Sequence, residues 1–353
     1  MATTYKAFLN NDIVSTRTML HEAIPITGSI VSGTYSPNFP NEGNIKNYAH
    51  GMFQSVYDYP YLSSSANHIF DLTVGYSANS SLSHSANVQN AKKINMYTQM
   101  AQVLMGYDTQ GSILEFDQDG DITGGGTKHK ECVFINFARL LTKDEIKKGS
   151  FVLKLGGEEV YEDANDDRLT ITDAGAENSY KVNSPAGEYG ILSCSIGGAY
   201  GGSNGLVGLV YYQAGIAVLT ASVFQAAVIT TDALMDQTGN TITELLTGSA
   251  ITGSCNAIRH RWFDDDFNNT TELNSTIHFC RVNNNDYNYS SNPTYLSSSK
   301  MVVKNNTLDA PVSYLTTVGL YSADNELLAV AKLSEPLKKD PTNEMTLRVR
   351  LDY

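Results

Sequence analysis

Residues 205–229 (GLVGLVYYQAGIAVLTASVFQAAVI) carry no charge, and what they fold into decides what kind of protein this is. The run is long enough to cross a bilayer as a helix. Its interior argues for a different solution. It holds glycines, Gln213 and Gln225 and several hydroxyl residues, and no basic cluster flanks it. It also divides into short pieces. Leu206–Tyr212 and Ile216–Thr220 are rich in β-branched and aromatic residues, and Gln213-Ala214-Gly215 between them is a short loop with a glycine. The reading is a hairpin buried in a core, not a membrane span.

Much of the chain reads the same way. Cys132–Leu141 and Phe151–Leu155 are apolar and strand-like. Tyr314–Tyr321 and Glu326–Lys332 are strand-like runs around Ser322-Ala323-Asp324-Asn325, a good turn sequence. In the terminal run Met345–Tyr353, apolar side chains alternate with polar ones to the last residue, so one face of a strand is buried there. A strand at that place would pin the C-terminus.

One substantial helix is expected near 87–105. Ile94, Tyr97, Ala101, Leu104 and Met105 fall on one face, and Lys92, Lys93, Asn95, Gln99 and Gln102 on the other. Asn87 is the expected N-cap and Gly106 the terminating glycine. Thr142-Lys143-Asp144-Glu145 matches a capping box, which predicts a short helix to Lys148 that stops at Gly149. The first 50 residues are broken by Pro25, Gly28, Gly33, Pro37, Pro40 and Gly43. They form either an arm lying on a neighbour or a segment wrapped on its own domain. The fold class that follows is mainly β (α+β), with β-sandwich-like modules, one substantial helix and an irregular N-terminal arm. The expected divisions are the arm (1–50), a mixed α/β region with the helix (51–155), a β-rich region with the apolar hairpin (156–253) and a C-terminal β-sandwich-like module (254–353).

Length is no obstacle to a large core, since 353 residues suffice for two or three domains of roughly 150 residues each. Charged residues make up 17% against about 25% in ordinary domains, which excludes charge-driven disorder. The net charge of −13 disfavours general nucleic-acid binding, which needs clustered Lys and Arg. Cys132, Cys194, Cys255 and Cys280 form no CxxC pair and have no zinc-ligand spacing. With no basic start and apolar leader at the first residues, they are expected to be reduced, buried thiols of a chain made in a cytoplasm.

The motifs that carry chemistry elsewhere fail their context tests here. Gly201-Gly202-Ser203-Asn204-Gly205 has the form of a nucleophile elbow, but a glycine-rich run precedes it and a strand follows, where the elbow needs a strand and then a helix. Asp117, Asp119 and Asp121 alternate as at the start of a calcium loop, yet Ile122 stands where the loop needs glycine and Lys128 where it needs a bidentate Glu. A turn with solvated acids is the reading adopted, with a weak calcium or magnesium site as the alternative. Arg259–Asp266 (RHRWFDDD) gathers the only Trp with His260, two Arg and three Asp. It is read as a structural cluster, with Arg259 or Arg261 paired to the acids and Trp262 packed in the core or planted in a partner. No second catalytic element accompanies it. No catalytic, cofactor-binding or metal-binding residue is assigned, and no enzymatic activity is expected.

Three phrases carry a resemblance. They are Tyr287–Tyr295 (YNYSSNPTY), Thr316–Tyr321 (TTVGLY) and Glu326–Pro336 (ELLAVAKLSEP). Together they resemble the C-terminal end of structural proteins in large contractile-tailed phages, those of marine cyanophages among them. The hairpin phrase Val207–Thr220, His50–Asp58 and Ser63–Asp71 are similar to phrases in the same proteins. The Thr-Val-Gly-Leu-Tyr phrase also looks like one in tail-fibre attachment domains, but no fibre shaft follows it here. The resemblance implies a virion structural protein of the tail or baseplate, assembled in the host cytoplasm, with other virion proteins as homo- and hetero-oligomeric partners and neither membrane nor nucleic acid among them. A receptor- or glycan-binding module and a neck or capsid-surface protein are the alternatives. The 21 Tyr and the abundant Asn suit such contact surfaces.

Overall fold

The computed structural model describes residues 5–31, 43–122, 126–155, 169–194, 205–224, 242–288, 296–297, 300–301 and 312–353, with side chains omitted at 242 and 296–301. The fold is mainly β, with a large antiparallel sheet and few helices. The chain forms two units. Leu20–Thr271 make one, and Met1–Met19 with Glu272–Tyr353 make the other. The unit that holds the C-terminus is thus built from two stretches of chain, the second beginning at Glu272.

The expectation of an irregular arm over 1–50 is corrected by β1 (Ile13–Thr27), whose first seven residues belong to the unit with the C-terminus. Nearly every residue of β1 is exposed, so it has no buried face to impose a period of two on its sequence. Its place at the end of the strand order also tolerates Pro25, which cannot donate to a ladder.

The larger unit continues with β2 (Ile45–Asn47), β3 (Gln54–Tyr57) and β4 (His68–Tyr76), then β5 (Phe116–Asp117), β6 (Lys128–His129) and β7 (Glu131–Phe137). After β8 (Glu145–Ile146) and β9 (Val152–Leu155) come β10 (Leu169–Thr172), β11 (Lys181–Ser184), β12 (Gly187–Cys194), β13 (Leu206–Tyr211) and β14 (Ile216–Thr220). The first ten residues of β15 (Trp262–Val282) complete it. The strands run in the order β15-β9-β10-β12-β13-β14-β7-β4-β3-β2, with β8 also on β15 and β11 also on β12. Its helices are α1 (Gly28–Val31), α2 (Asn90–Leu104), α3 (Arg139–Thr142), α4 (Ala176–Ser179), α5 (Ile242–Gly248) and α6 (Ile251–His260).

The uncharged run is the centre of this sheet. β13 and β14 pair as an antiparallel hairpin from Gly208↔Leu219 to Tyr211↔Ile216, and β14 pairs β7 along Ile216–Thr220. Both faces are covered, which is why no charge interrupts the sequence. Val210, Ala217, Leu219, Val133 and Ile135 belong to one core with Ile251, Cys255 and Ile258 of α6. Leu209, Tyr211, Val218, Cys132 and Phe134 belong to a second core with Tyr97, Ala101 and Leu104 of α2. No helix among the described residues is long and apolar enough to cross a membrane, and residues 225–229 lie outside them.

Two glycines are required by geometry. A Cβ on Gly75 of β4 would lie 2.6 Å from Lys93 O and 2.9 Å from Tyr97 N, so its absence lets α2 lie close on the strand. Gly215 closes the β13–β14 turn at φ +66°, and a Cβ there would come within 2.8 Å of Cγ2 of the buried Thr142. Gly215→Ala is therefore expected to cost about 1–2 kcal/mol in urea denaturation, through the left-handed backbone and the displaced threonine.

The expected helix forms over α2, shorter at its start than 87–105. Asn87 is not its cap. Gln89 precedes the helix at φ +53°, and Asn87 Nδ2 donates to Leu82 O at 2.5 Å. Gly106, at φ +81°, ends it as expected and donates to Ala101 O. Lys93 is not on the solvent face but fully buried. The predicted helix from Thr142 to Lys148 is absent. α3 ends at Thr142, and Asp144, Ile146 and Lys147 donate their amides to Thr270 O, Tyr212 O and Asn268 O. Those distant partners outcompete the local capping box. β7 likewise stops at Phe137, short of Leu141.

The smaller unit contains the first part of β1, the rest of β15, and β16 (Leu296–Ser297), β17 (Lys300–Met301), β18 (Ser313–Tyr321), β19 (Leu327–Lys339) and β20 (Met345–Asp352). β20 pairs β15 from Ser275↔Asp352 to Val282↔Met345. Its alternation holds. Val349 is buried, Met345, Leu347 and Leu351 are half-buried, and Thr346, Arg348, Arg350 and Asp352 are exposed. Tyr353 departs from the pattern, since it lies past the strand and its ring is exposed.

Candidate interaction surface

The smaller unit carries many of its apolar residues where water reaches them, Leu327, Leu328 and Val330 among them. β18 and β19 form a two-stranded antiparallel sheet of their own, around a turn in which Asn325 takes φ +63° and donates to Ser322 O. Alternation gives the hairpin two faces. Val318 and Leu320, opposite Ala331 and Ala329, are buried or half-buried. The opposite face is open, with Val330 57% and Tyr321 43% exposed, and Leu328, at an irregularity in the register, 68%. Gly319 pairs with Val330, and the Tyr321 ring lies over it, 2.9 Å from where its Cβ would stand, with Leu327 Cδ1 at 3.4 Å. The Tyr5 ring packs on Tyr321 at 4.7 Å. Tyr5, Tyr321, Leu327 and Val330 thus make one continuous apolar surface.

The base of the hairpin is held firmly. Lys339 is fully buried, and its Nζ donates to Asn284 O (3.0 Å), Asn288 Oδ1 (3.1 Å) and Asp340 O (2.8 Å). Ser313 Oγ donates to Tyr287 O at 3.3 Å. At the middle, four residues including Pro336 face Thr316 alone, the sort of bulge where proline is tolerated. Two-stranded hairpins are marginal unless packed on something. A contiguous exposed apolar face marks a place where something packs.

No protein family, curated protein or solved structure matches this chain.

The motif residues fall in several places. Ser203 lies outside the described residues. The Arg259–Asp266 cluster is taken apart by the fold. Arg259 is fully buried, with Nε donating to Gln54 Oε1 (3.1 Å), Nη1 to Val31 O (2.9 Å) and Nη2 to Asn256 Oδ1 (2.9 Å). Trp262 is packed in the core and stacks on Phe70 at 4.9 Å. Asp264 takes Lys154 as its partner at 3.0 Å. Asp265 is fully buried, its two oxygens accept no hydrogen bond, and burial together with the neighbouring acids pushes its pKa well up. Burial lowers the His260 imidazole to about 4, with Arg259 and Arg261 adding to the shift.

The Asp117–Asp121 loop departs from a turn of solvated acids. Asp119 and Asp121 are exposed, but Asp117 is fully buried. Lys128 Nζ lies 2.6 Å from Asp117 Oδ2, and the Ile122 amide donates to the same oxygen at 2.9 Å. Burial alone would raise this carboxyl, and Lys128, a hydrogen bond with the Asp121 side chain and the Ile122 amide together outweigh it and hold it below the usual range.

Three of the four cysteines are buried and Cys280 is half-buried, and none is in a disulfide. Burial raises Cys255 to about 12 and pushes Cys132 well up, which makes both poor nucleophiles.

Proposed function

We propose that this chain is a structural component of a phage virion, in the tail or baseplate, working through several protein–protein interfaces. The observation that carries the reading is the open apolar face of the β18–β19 hairpin, built around the Thr316–Tyr321 phrase in which the resemblance to tail proteins lies. Such a face suits burial against a neighbouring subunit, and the two strands also offer backbone edges to which a partner strand can add.

The test is cryo-EM of the particle that contains the chain. The expected result is a tail or baseplate position with Tyr321, Leu328 and Val330 covered by another subunit. Burial of less than ~1,000 Å² against all neighbours would overturn the reading. In the same system, Leu328→Glu with Val330→Glu is expected to abolish incorporation into particles. The stability of the isolated chain should change by less than about 1 kcal/mol, because both side chains are exposed. Particles that assemble normally with both substitutions would remove the hairpin from the interface.

A receptor- or glycan-binding role is the second reading, and one cluster favours it. Tyr48 stacks on the exposed His50 at 5.1 Å, Phe53 packs on both, and Lys46 Nζ lies 4.7 Å from the Tyr48 ring centre. Aromatic faces with a nearby cation suit sugar recognition. Binding on a glycan array that is lost with Tyr48→Ala would favour this role over the structural one.

A further inference from the structure

The loop from Asp117 to Asp121 brings three carboxylates together. Asp117, Asp119 and Asp121 bring ligand oxygens within 4.8 Å of one another. A calcium ion holds oxygens at about 2.4 Å, so two on opposite sides of it stand about 4.8 Å apart, and the three carboxylates already fit one coordination sphere.

An independent observation comes from the buried member. Lys128 and the Ile122 amide both use Asp117 Oδ2. Oδ1 of the same fully buried side chain has no hydrogen-bond partner. A buried carboxylate oxygen without a partner is costly. This one points into the cluster. The position a Cβ would take on Gly126 lies 3.5 Å from Asp117 Oδ1 and 3.8 Å from each oxygen of Asp119, so Asp117 Oδ1 and the Asp119 carboxylate line the same small space beside Gly126.

The backbone agrees. A calcium loop needs a sharp turn at its sixth position, ordinarily supplied by glycine. Ile122 occupies that position and nonetheless takes φ +53°, an uncommon conformation for a β-branched residue. Its amide turns back onto the first aspartate.

We propose that Asp117, Asp119 and Asp121 form a calcium site, with Asp117 Oδ1 and the Asp119 carboxylate as its inner ligands. The donors are all oxygens, which selects a hard cation. Magnesium demands tight octahedral geometry at 2.0–2.1 Å and sheds water reluctantly, so an anionic loop of spread carboxylates suits calcium better. The twelfth position gives Lys128 where a high-affinity loop has a bidentate Glu, which places the affinity in the weak class, with Kd on the order of 10⁻⁴–10⁻³ M.

The test uses the full chain stripped of metal with a chelator. Tyr189 donates its hydroxyl to Gly120 O at 3.3 Å, close enough to the loop to sensitise bound terbium. Tyrosine-excited terbium luminescence is expected, displaced by millimolar calcium, together with a calcium-dependent rise in thermal midpoint. Asp119→Asn with Asp121→Asn, both at exposed positions, should weaken terbium and calcium binding at least tenfold and leave the circular dichroism unchanged. Three results would overturn the proposal: no terbium signal and no thermal shift up to 10 mM calcium, binding unchanged in the double variant, or an equal thermal shift with 10 mM magnesium.

Discussion

Replacing Lys93 with methionine is expected to destabilise the larger unit by at least about 3 kcal/mol, although the substitution keeps a long side chain at a helical position. Lys93 is fully buried on α2, and its Nζ donates to Val88 O at 2.8 Å, Leu246 O at 2.6 Å and Ser249 O at 2.7 Å. Leu246 and Ser249 lie at the C-terminal end of α5, where carbonyls have no partner within the helix and a cation is favoured by the helix dipole. Methionine offers no donor, so three carbonyls lose their partner at once. For a unit of this size the loss corresponds to a fall in thermal midpoint of about 6–12 °C. The comparison is Lys93→Arg, which keeps the charge and donors but adds bulk in a packed site and should fall between the two. A drop of less than about 1 kcal/mol for Lys93→Met would mean that Lys93 does not hold α5 in place.

The same lysine makes a prediction about pH. Burial lowers Lys93 to about 8, against an ordinary value of 10.5. Between these values the unfolded chain binds more protons than the folded one, so the contribution of this group to stability rises as pH climbs from about 8 to 10.5. Below about 8 both states are charged and the contribution is flat. In urea denaturation across that range, Lys93→Met should lack this part of the pH dependence.

Lys93 shows where sequence reasoning runs out. Its neighbours Tyr97, Ala101 and Leu104 repeat at helical spacing, so the helix and its buried face are legible. A lysine one turn before them reads as solvated, because nothing local reveals that the carbonyls of residues 246 and 249 will arrive above it. The β13–β14 hairpin was legible, with its first strand read one residue too long at Tyr212, since a run buried on both faces must be free of charge and its turn needs the glycine at 215. β1 was not, because an exposed strand at the end of the order leaves no hydrophobic period. Thr142–Glu145 misled because a capping box is a local preference worth about a kilocalorie, and three backbone hydrogen bonds to Tyr212, Asn268 and Thr270 exceed it.

The candidate surfaces divide in the same way. Tyr314–Tyr321 and Glu326–Lys332 could be read as strands from their composition, but which of their faces would be left open depends on the packing of the rest of the unit. The alternating aspartates were visible as a loop. That Asp117 is buried and keeps one oxygen without a partner depends on β5 pairing with β6, which brings Lys128 across to Asp117.

Trp262 sits where the sequence allowed two fates, a core residue or an anchor in a partner, and its substitution separates them. Its ring is fully buried and lies nearly parallel to Phe70, at 4.9 Å and 17°. Phe70 meets Phe137 edge-on at 6.0 Å, and Phe137 meets Phe267 at 5.0 Å and Phe151 at 6.1 Å. These five rings tie β4, β7, β15 and the start of β9 into one core. Trp262→Ala would remove the end ring and leave a cavity that a sheet hydrogen-bonded at Leu155 cannot close, so the expected loss is about 3–5 kcal/mol. Trp262→Phe should cost far less, about 1–2 kcal/mol. Phenylalanine keeps the stack on Phe70, and the indole Nε1 it removes is buried without a hydrogen-bond partner. Urea denaturation of the isolated chain measures both. If Trp262→Ala costs less than about 1 kcal/mol in isolation and yet blocks assembly, the ring belongs to an interface and the core described for this unit is wrong.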